Sequence, residues 1–414
     1  MPTSALAVPM GTLTSLGCGK ETTFAAFATP TIWHSLKSFS PKSTNMTIPR
    51  TGARKRWGQS EPITGGYDFS AALAVESDPD TVGQLWAYAM GSQSVPTHNI
   101  VATTVGTGGS TLGSTNIPVT SIAGIQVGCS LTVDTAANQE VVVVADVLAN
   151  AITTASATTK AHTAGVVVTL TSATAYLTYM KMGTLPSFSI ELDAQTDVLQ
   201  YTGLFIDSWA INISAAAEVE STFNIVGALE DVKGSAATTP VYSILKPLSS
   251  VDIRSNMLIA NVASGAIGQV GVTKATFNCA NNLKKGYYSI GTGRRVLNYP
   301  QLQRKVTGTL ELGFETDSAY RSFLGASGAT SPQSDVPGVI VNAQVVSPAI
   351  VDSTLSLAYA LNVIVPDAKF TGYSMKIVSN DMIVATVTFE SSESANSADD
   401  DISLYLTNAA TAIY

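Results

Sequence analysis

Hydrophobic and polar residues alternate along most of the chain with a period of two, the pattern of strands that bury one face. Tyr67-Asp68-Phe69-Ser70-Ala71-Ala72-Leu73-Ala74-Val75 and Val306-Thr307-Gly308-Thr309-Leu310-Glu311-Leu312 show it well. Phe188–Leu192, Leu204–Ile213, Thr222–Val226, Leu355–Val365 and Met382–Phe389 continue it, with Gly, Ser, Asn or Asp punctuating nearly every segment. Helical periodicity is rare. One short helix is predicted behind Ser77 or Asp78 as its cap, with Pro79 in the first turn and Gly91 at the end. Its Val82, Leu85, Trp86 and Ala89 fall on one stripe. A second is predicted behind Thr316 or Asp317, with Tyr320, Phe323 and Leu324 as its stripe and Gly325 as its end. Each helix is expected to lie across one face of a sheet.

Two stretches repeat the same features in the same order. The first has Ser38-Phe39-Ser40, the basic loop Arg50-Thr51-Gly52-Ala53-Arg54-Lys55-Arg56, the strand Tyr67–Val75, then Glu76-Ser77-Asp78-Pro79-Asp80 before the helix. The second has Ala275-Thr276-Phe277-Asn278, Gly291-Thr292-Gly293-Arg294-Arg295, a strand from Thr307 to Phe314, then Glu315-Thr316-Asp317. Further on, Tyr201-Thr202-Gly203 is matched with Phe370-Thr371-Gly372. The order predicts a duplicated β unit; two unrelated β domains sharing turn chemistry are the alternative. Ile100 to Thr174 has its own style, short Thr-rich strands at hairpin spacing, and no counterpart in the second copy. It is read as an inserted small β domain, which surface loops tolerate. The fold expected is mainly β: two tandem β-sandwich or barrel units, each with one short packed helix, plus a small inserted all-β domain. The expected boundaries are an N-terminal arm 1–31, a first unit at 32–99 and 175–235, the insert at 100–174, and a second unit at 236–414.

Composition narrows the function. Only 13% of the 414 residues are charged, against roughly 25% in an average soluble domain. Long disordered tails and coiled coils need more charge than that, so the surface is expected to be covered by partners or by Ser, Thr and Gly. Acids exceed bases by 30 to 22, a net charge of −8, which argues against a general grip on nucleic acid. Cys18, Cys129 and Cys279 lie far apart, as do His34, His98 and His162, so neither a disulfide framework nor a metal centre is readable. Met1 to Thr14 lacks a basic leader, and the longest apolar run, Val141–Ile152, is interrupted by Asp146 and too short for a bilayer. A soluble chain assembled in a reducing compartment is expected.

Catalytic patterns are missing from the sequence. It has no GxSxG, HExxH or Walker A motif, and Gly106-Thr107-Gly108-Gly109 is followed by no helix. Glu191 and Asp193 share a strand face, but no electrophile or second acid accompanies them; His162 reads as a structural histidine, and Asp399-Asp400-Asp401 as a solvated turn. No enzyme activity, cofactor or metal is expected. The basic loops carry more weight. Arg50, Arg54, Lys55 and Arg56, with Lys284, Lys285, Arg294, Arg295, Arg304 and Lys305, place ten of the 22 Lys and Arg residues in two equivalent hairpin regions. They read as solvated tips, as a DNA contact, or as contacts to a neighbouring copy. Trp57, Tyr287, Tyr288 and Tyr299 lack the spacing of a base-stacking platform. Docking between copies is the favoured reading, with Glu76, Asp78, Asp80, Glu315 and Asp317 as the acidic partners.

The segment Gly19-Lys20-Glu21-Thr22-Thr23-Phe24 before Thr29-Pro30-Thr31, the Arg-bearing loop, and the strand that ends at an acidic helix start together resemble phage major tail tube proteins. Tyr201-Thr202-Gly203, Ile206-Asp207-Ser208-Trp209 and Thr222–Gly227 fit the same pattern. The resemblance covers roughly 19–95, 177–230 and 272–390, and the insert resembles small β modules grafted on phage structural proteins. It implies sheets of neighbouring subunits joined into an inner barrel, in rings that stack into a tube for DNA ejection. Two tube-type units per chain imply a homotrimeric ring with pseudo-sixfold symmetry, where a single-unit member is expected as a hexamer. The partners implied are further copies of the chain, other tail proteins such as the tape measure and the tail terminator, and DNA as non-specific cargo, without a membrane. The location implied is the virion tail, after assembly in host cytoplasm. The basic hairpins would reach the adjacent ring, the arm would clasp a neighbour, and the bore would carry few Lys or Arg. A surface adhesion or decoration protein is the competing reading, and a glycan hydrolase on a β scaffold the third.

Overall fold

The computed structural model describes the chain apart from residues 1–10, 51–60, 95–102, 123–124, 126–129, 149, 155, 171–176, 234–237, 253–254, 262–264, 267–270, 292, 314–317, 326–328, 337, 353–356, 378–382, 392–400 and 409–413. The first unit opens with β1 (Ser15–Lys20), β2 (Ile32–His34), β3 (Leu36–Ile48), β4 (Ile63–Glu76), α1 (Val82–Met90) and β5 (Gly91–Ser94). A module follows, with β6 (Thr103–Thr104), β7 (Asn116–Pro118), β8 (Ser130–Val133), β9 (Glu140–Leu148), β10 (Ala151–Thr154) and β11 (Val167–Leu170). The first unit then resumes with β12 (Leu177–Met182), β13 (Phe188–Asp193), β14 (Val198–Ser214), β15 (Glu220–Gly227) and β16 (Leu229–Lys233). The second comprises β17 (Asn256–Asn261), β18 (Gly265–Ala266), β19 (Val272–Ala280), β20 (Lys305–Gly313), α2 (Ser318–Leu324), β21 (Val339–Asp352), β22 (Leu357–Lys376), β23 (Val384–Ser391) and β24 (Ser403–Thr407).

The strands pair in the same order in both units. In the first the antiparallel ladder runs β1-β13-β14-β15-β4-β3. In the second it runs β17-β21-β22-β23-β20-β19. A side strand joins the first half of the long strand in each, β16 on β14 and β24 on β22. Three bulges recur at equivalent places: Lys37 and Thr273, Thr202–Gly203 and Pro366–Asp367, Asp207 and Thr371. A bulge leaves one residue unpaired and bends its strand, so three shared bulges mean two sheets curved alike. Ladder position then makes Ala72 equivalent to Thr309, 237 positions on, and Ser208 equivalent to Gly372, 164 positions on. The difference, 73 residues, is a net one: 86 residues are added between β4 and β13, where the module sits, and the β13–β14 hairpin is 13 residues shorter than its β21–β22 counterpart.

This register corrects one sequence match. Tyr201-Thr202-Gly203 does not correspond to Phe370-Thr371-Gly372: Tyr201 faces Glu230 of β16, whereas Phe370 faces Phe389 of β23. The true counterparts lie five residues away, because the bulges fix the register and the local similarity does not.

The period-two reading of β4 describes its burial. Phe69, Ala71, Leu73 and Val75 face the core, while Ser70, Ala72 and Ala74 face away. α1 differs from the single stripe expected, since all nine of its residues are buried. Its outer side is covered too: Gly83 lies against Leu406 and Tyr414, and Gln84 Nε2 donates to Thr31 Oγ1 and Tyr88 Oη, each at 3.0 Å. Burying Leu85, Trp86 and Met90 contributes about 2 kcal/mol each. The helix ends at Gly91 in the left-handed conformation (φ 90°), as glycine allows. Its cap is Thr81 rather than Ser77 or Asp78; the Asp78 carboxylate instead accepts the N–H of Asp80 at 2.9 Å. On α2, Phe323 and Tyr320 pack on Tyr373 of β22, and Gly325 (φ 117°) follows the helix. Its expected caps, Thr316 and Asp317, lie outside the described residues.

The two units share one large core, whereas the module has its own six-stranded sheet and its own core of Ile117, Leu131, Val133, Val144, Ile152 and neighbours. Its flanks leave from β5 and β12, which pair with each other directly. The expected arm is also corrected in its second half. β1 lies between β13 and β2 within the chain. Buried Glu21 then accepts from Gly203 N (2.7 Å), Ser189 Oγ (2.8 Å) and Ala25 N (2.9 Å), which ties the following turn to the bulge of β14.

Candidate functional surface: a polar sheet face and two open edges

The two units are joined by their sheets. The second half of β14 pairs with β19, from Ser208 opposite Ala280 to Ser214 opposite Lys274. One sheet therefore runs β3-β4-β15-β14-β19-β20-β23-β22 through both units. Directly opposed residues share a face, so the two faces can be read off the register. One is the core, with Leu73, Phe223, Trp209, Cys279, Val306 and Val387.

The other face is built of small polar residues. Across the strands it presents Ser40, Ala72, Asn224 with Thr222, Ser208 with Ala210, Asn278 with Thr276, Thr307 with Thr309, Thr388 with Thr386, and Ser374. Charges sit toward the strand ends, with Lys305 and Glu390, paired at 2.9 Å, at one end and Lys274, Glu311, Lys376, Glu220 and Glu76 at the other. The outer strands β3 and β4 add Lys42 and Asp68. No arginine falls on these positions of the eight strands.

At its two ends this sheet is open among the described strands. β3 pairs with β4 on one side alone, and the second half of β22 with β23 alone. Both edges expose apolar side chains that buried equivalents occupy at the internal joint. Met375 is 45% and Ile377 67% exposed, where β14 has buried Ile211 and half-buried Ile213. Pro41 is exposed where β19 has buried Phe277.

The joint is closed above by the long β19–β20 loop. Asn281 donates Nδ2 to the carbonyls of Ile206 (2.8 Å) and Ala89 (3.1 Å). Leu283 N donates to Asp207 Oδ1 at 3.0 Å, and Lys285 pairs with Asp207 at 2.9 Å. Leu283, Val296 and Tyr299 then pack with Leu185, Phe205 and Val226 of the first unit in a separate apolar cluster, and Tyr299 Oη donates to Gly227 O at 2.5 Å. Burial pushes the Tyr67 hydroxyl up to about 12; it stays protonated, within hydrogen-bond distance of Ser43 Oγ (2.8 Å) and Glu230 Oε2 (2.9 Å).

These contacts relocate several expected site residues. Arg294 is bound within the chain, to Gly65 O at 3.0 Å and to Asn45 Oδ1. Arg304 donates to Met90 O (3.2 Å) and Gly183 O (2.5 Å), holding the end of α1. Asp78 is buried, 4% exposed, and offers no surface to a partner. Lys305 lies on the polar face with Glu390, and Arg50 and Arg295 are exposed. Glu76 and Asp80 are half-buried, while Arg54, Lys55, Arg56, Glu315 and Asp317 lie outside the described residues. Sequence reasoning missed the clasp formed by Asn281, Tyr299 and Asp207, whose partners in the other unit are backbone groups, apart from the Lys285 side chain on Asp207.

Residues 178–334 match the family model described as phage tail tube protein. This segment, less than half of the chain, is similar to the tail tube family. It runs from β12 to the loop after α2, so the tail tube match spans the joint between the units. A search among curated proteins finds no match to the chain. The carboxylates and histidine considered above hold structural contacts. Glu191 is buried and accepts from Gln200 Nε2 at 2.8 Å, and Asp193 turns to its own loop at Gln195 N. His162 is buried with Nε2 2.8 Å from Glu140 Oε1, and burial raises the pKa of the Cys18 and Cys279 thiols. Among the described residues, no three His, Cys, Asp or Glu side chains come together to hold a metal, and no helix is long and apolar enough to cross a membrane.

Proposed function

We propose that the chain is the structural subunit of a phage tail tube, polymerising as stacked rings whose bore conducts DNA on ejection. The observation that carries this reading is the internal joint: two units of identical strand order continue one sheet across β14 and β19. A sheet that extends itself through a tandem unit can extend through further copies until it closes, and closure removes the edges that invite random pairing. Three chains would supply six units, a trimeric ring with pseudo-sixfold symmetry. Head-to-tail stacking is a heterologous contact that does not close and so makes a filament.

The polar face fits the bore. DNA carries about one negative charge per 1.7 Å of axis, so a lysine- and arginine-rich wall would hold phosphates at every ring. Ser, Thr, Asn and Ala in the middle of the face, with lysines and acids of both signs at its ends and on its outer strands, offer far less hold than such a wall. The role is structural rather than catalytic, in the virion tail after assembly in the host cytoplasm, with tape-measure and terminator proteins as further partners. The module would project outward from each ring, since it leaves the sheet beside α1 on the core side. Negative-stain microscopy and sedimentation of the purified chain test the reading. Rings or tubes with threefold-repeated outer density are expected; a monodisperse monomer at all concentrations would overturn it.

A further inference from the structure

The internal joint gives the register of a second joint, between chains. Ladder equivalence maps β14 onto β22 by 164 positions and β19 onto β3 by 236. Carried across, the pairing of Ser208 with Ala280, Ala210 with Asn278 and Asn212 with Thr276 becomes Gly372 with Thr44, Ser374 with Lys42, and Lys376 with Ser40. We infer that the open edge of β22 at Gly372–Ile377 pairs antiparallel, in this register, with the open edge of β3 of a second copy of the chain. The inference rests on the ring reading and names its seam.

Side-chain chemistry supports the register on both faces. On the core side, Ile377 comes opposite half-buried Phe39 and Met375 opposite exposed Pro41, so each exposed apolar residue of the β22 edge meets an apolar residue of β3. On the polar side, Gly372 meets Thr44, while Lys42 comes opposite Ser374 and Lys376 opposite Ser40, so the Ser/Thr surface carries two lysines at the seam. Asn45 occupies on β3 the place that Asn281 holds on the stretch after β19, where its amide clasps the facing strand.

Pro41 sets a difference between the two joints. Tyr67 turns its N–H to Arg294 O and its C=O to Tyr288 Oη, away from β3. Alternation along the ladder then turns the backbone of Pro41 toward the open edge, where it has no N–H to give. The seam between chains closes with one ladder hydrogen bond fewer than the joint within them. Proline on an edge also discourages unspecific strand addition, which suits an edge meant for one partner.

Paired cysteines test the register. Ser374 and Lys42 form a non-hydrogen-bonded pair, with Cα atoms about 4.5 Å apart, a distance that a disulfide spans. Under mild oxidation the K42C/S374C chain should pass largely into covalent multimers on non-reducing gels, ending at the closed ring. Mixed K42C and S374C single variants should stop at dimers. The T44C/K376C chain sets its thiols four residues out of register, roughly 13 Å apart at about 3.4 Å per residue, and should stay at least tenfold less cross-linked. Equal or inverted yields overturn the register. Tubes visible by microscopy without the K42C/S374C cross-link overturn the seam and leave the ring reading standing, whereas neither tubes nor cross-links sinks both.

Discussion

Asn281 is the side chain on which the joint between the units depends most directly. It is fully buried, its N–H donates to Asp207 O at 2.7 Å, and its amide nitrogen serves the carbonyls of Ile206 and Ala89. The Ala89 carbonyl is one of the C-terminal acceptors of α1 that no helical N–H reaches. Asn281→Ala removes both donated bonds and leaves two carbonyls facing apolar surroundings. At roughly 1 to 2 kcal/mol for each bond and its stranded acceptor, the loss is about 2 to 4 kcal/mol. Asn224→Ala is the comparison, because Asn224 Nδ2 donates to Ser208 Oγ at 2.9 Å on the exposed polar face; about 0.5 kcal/mol is expected there. Urea unfolding followed by tryptophan fluorescence reads the difference, since Trp209 lies opposite Cys279 in the joint. With a slope near 3 kcal/mol per M, the Asn281→Ala midpoint should fall by roughly 1 M. Equal midpoints for the two variants would refute the assignment of Asn281 as the clasp.

The remaining expectations address packing, pH and the module. A Cβ on Gly308 would lie 2.1 Å from Phe389 Cζ, so Gly308→Ala should cost about 2 to 3 kcal/mol in thermal or urea unfolding. The first unit holds Ala71 opposite Ile225 at the equivalent place, so Phe389→Ile should recover the part of that loss due to the ring, the contact with the Thr276 carbonyl oxygen at 2.6 Å remaining; no recovery at all would contradict the ring clash. Burial lowers the pKa of His34 to about 4, below its unfolded value near 6.5. The native state keeps His34 neutral while the unfolded chain binds the proton. The stability it contributes is therefore full above about pH 6.5 and declines as pH falls toward 4, by up to about 3 kcal/mol. His34→Gln should flatten that part of the pH profile of the melting temperature, and an unchanged profile argues against it. Finally, β5 and β12 pair directly, so joining Ser94 to Leu177 by a short Gly-rich turn should remove the module while circular dichroism and the tubes seen by microscopy persist. Loss of the folded state would show that the module supports the main core.

Much of this arrangement is legible in the alternation of residues, and the illegible part has a common cause. β4 announces itself because Phe69, Leu73 and Val75 need one face and Ser70 and Ala74 tolerate the other. Gly91 announces the end of α1 because few other residues take its φ. The bulges do not announce themselves: Thr202–Gly203 and Pro366–Asp367 do the same bending with unrelated side chains, so a match on Thr-Gly landed five residues away. Pro366 also hides that β22 is one strand of 20 residues, since proline reads as a break unless a bulge absorbs it. The basic loops misled for another reason. Arg294 and Arg304 bind the carbonyls of Gly65, Met90 and Gly183, and a backbone acceptor leaves no trace in the sequence that contacts it.

Tandem fusion changes the energetics of the proposed ring as well as its symmetry. Six separate subunits must form six joints, and each association forfeits translational and rotational freedom worth about 4 to 15 kcal/mol at standard concentration. In three fused chains half of the joints form during folding, between segments held together by the stretch after β16, so only three are left to concentration. The intrachain joint can then be strong without risk, and it carries the full ladder, Asn281 and the docked β19–β20 loop. The interchain seam can be weaker, lacking the donor at Pro41, and still close the ring, because closure makes the last two contacts from one encounter. A weaker seam lets wrongly joined chains separate before a ring closes, while a uniformly strong one would trap them. The two joints should therefore differ in strength in the same direction that their sequences differ: dissociation of a ring by urea should release intact two-unit chains well before the β14–β19 joint opens.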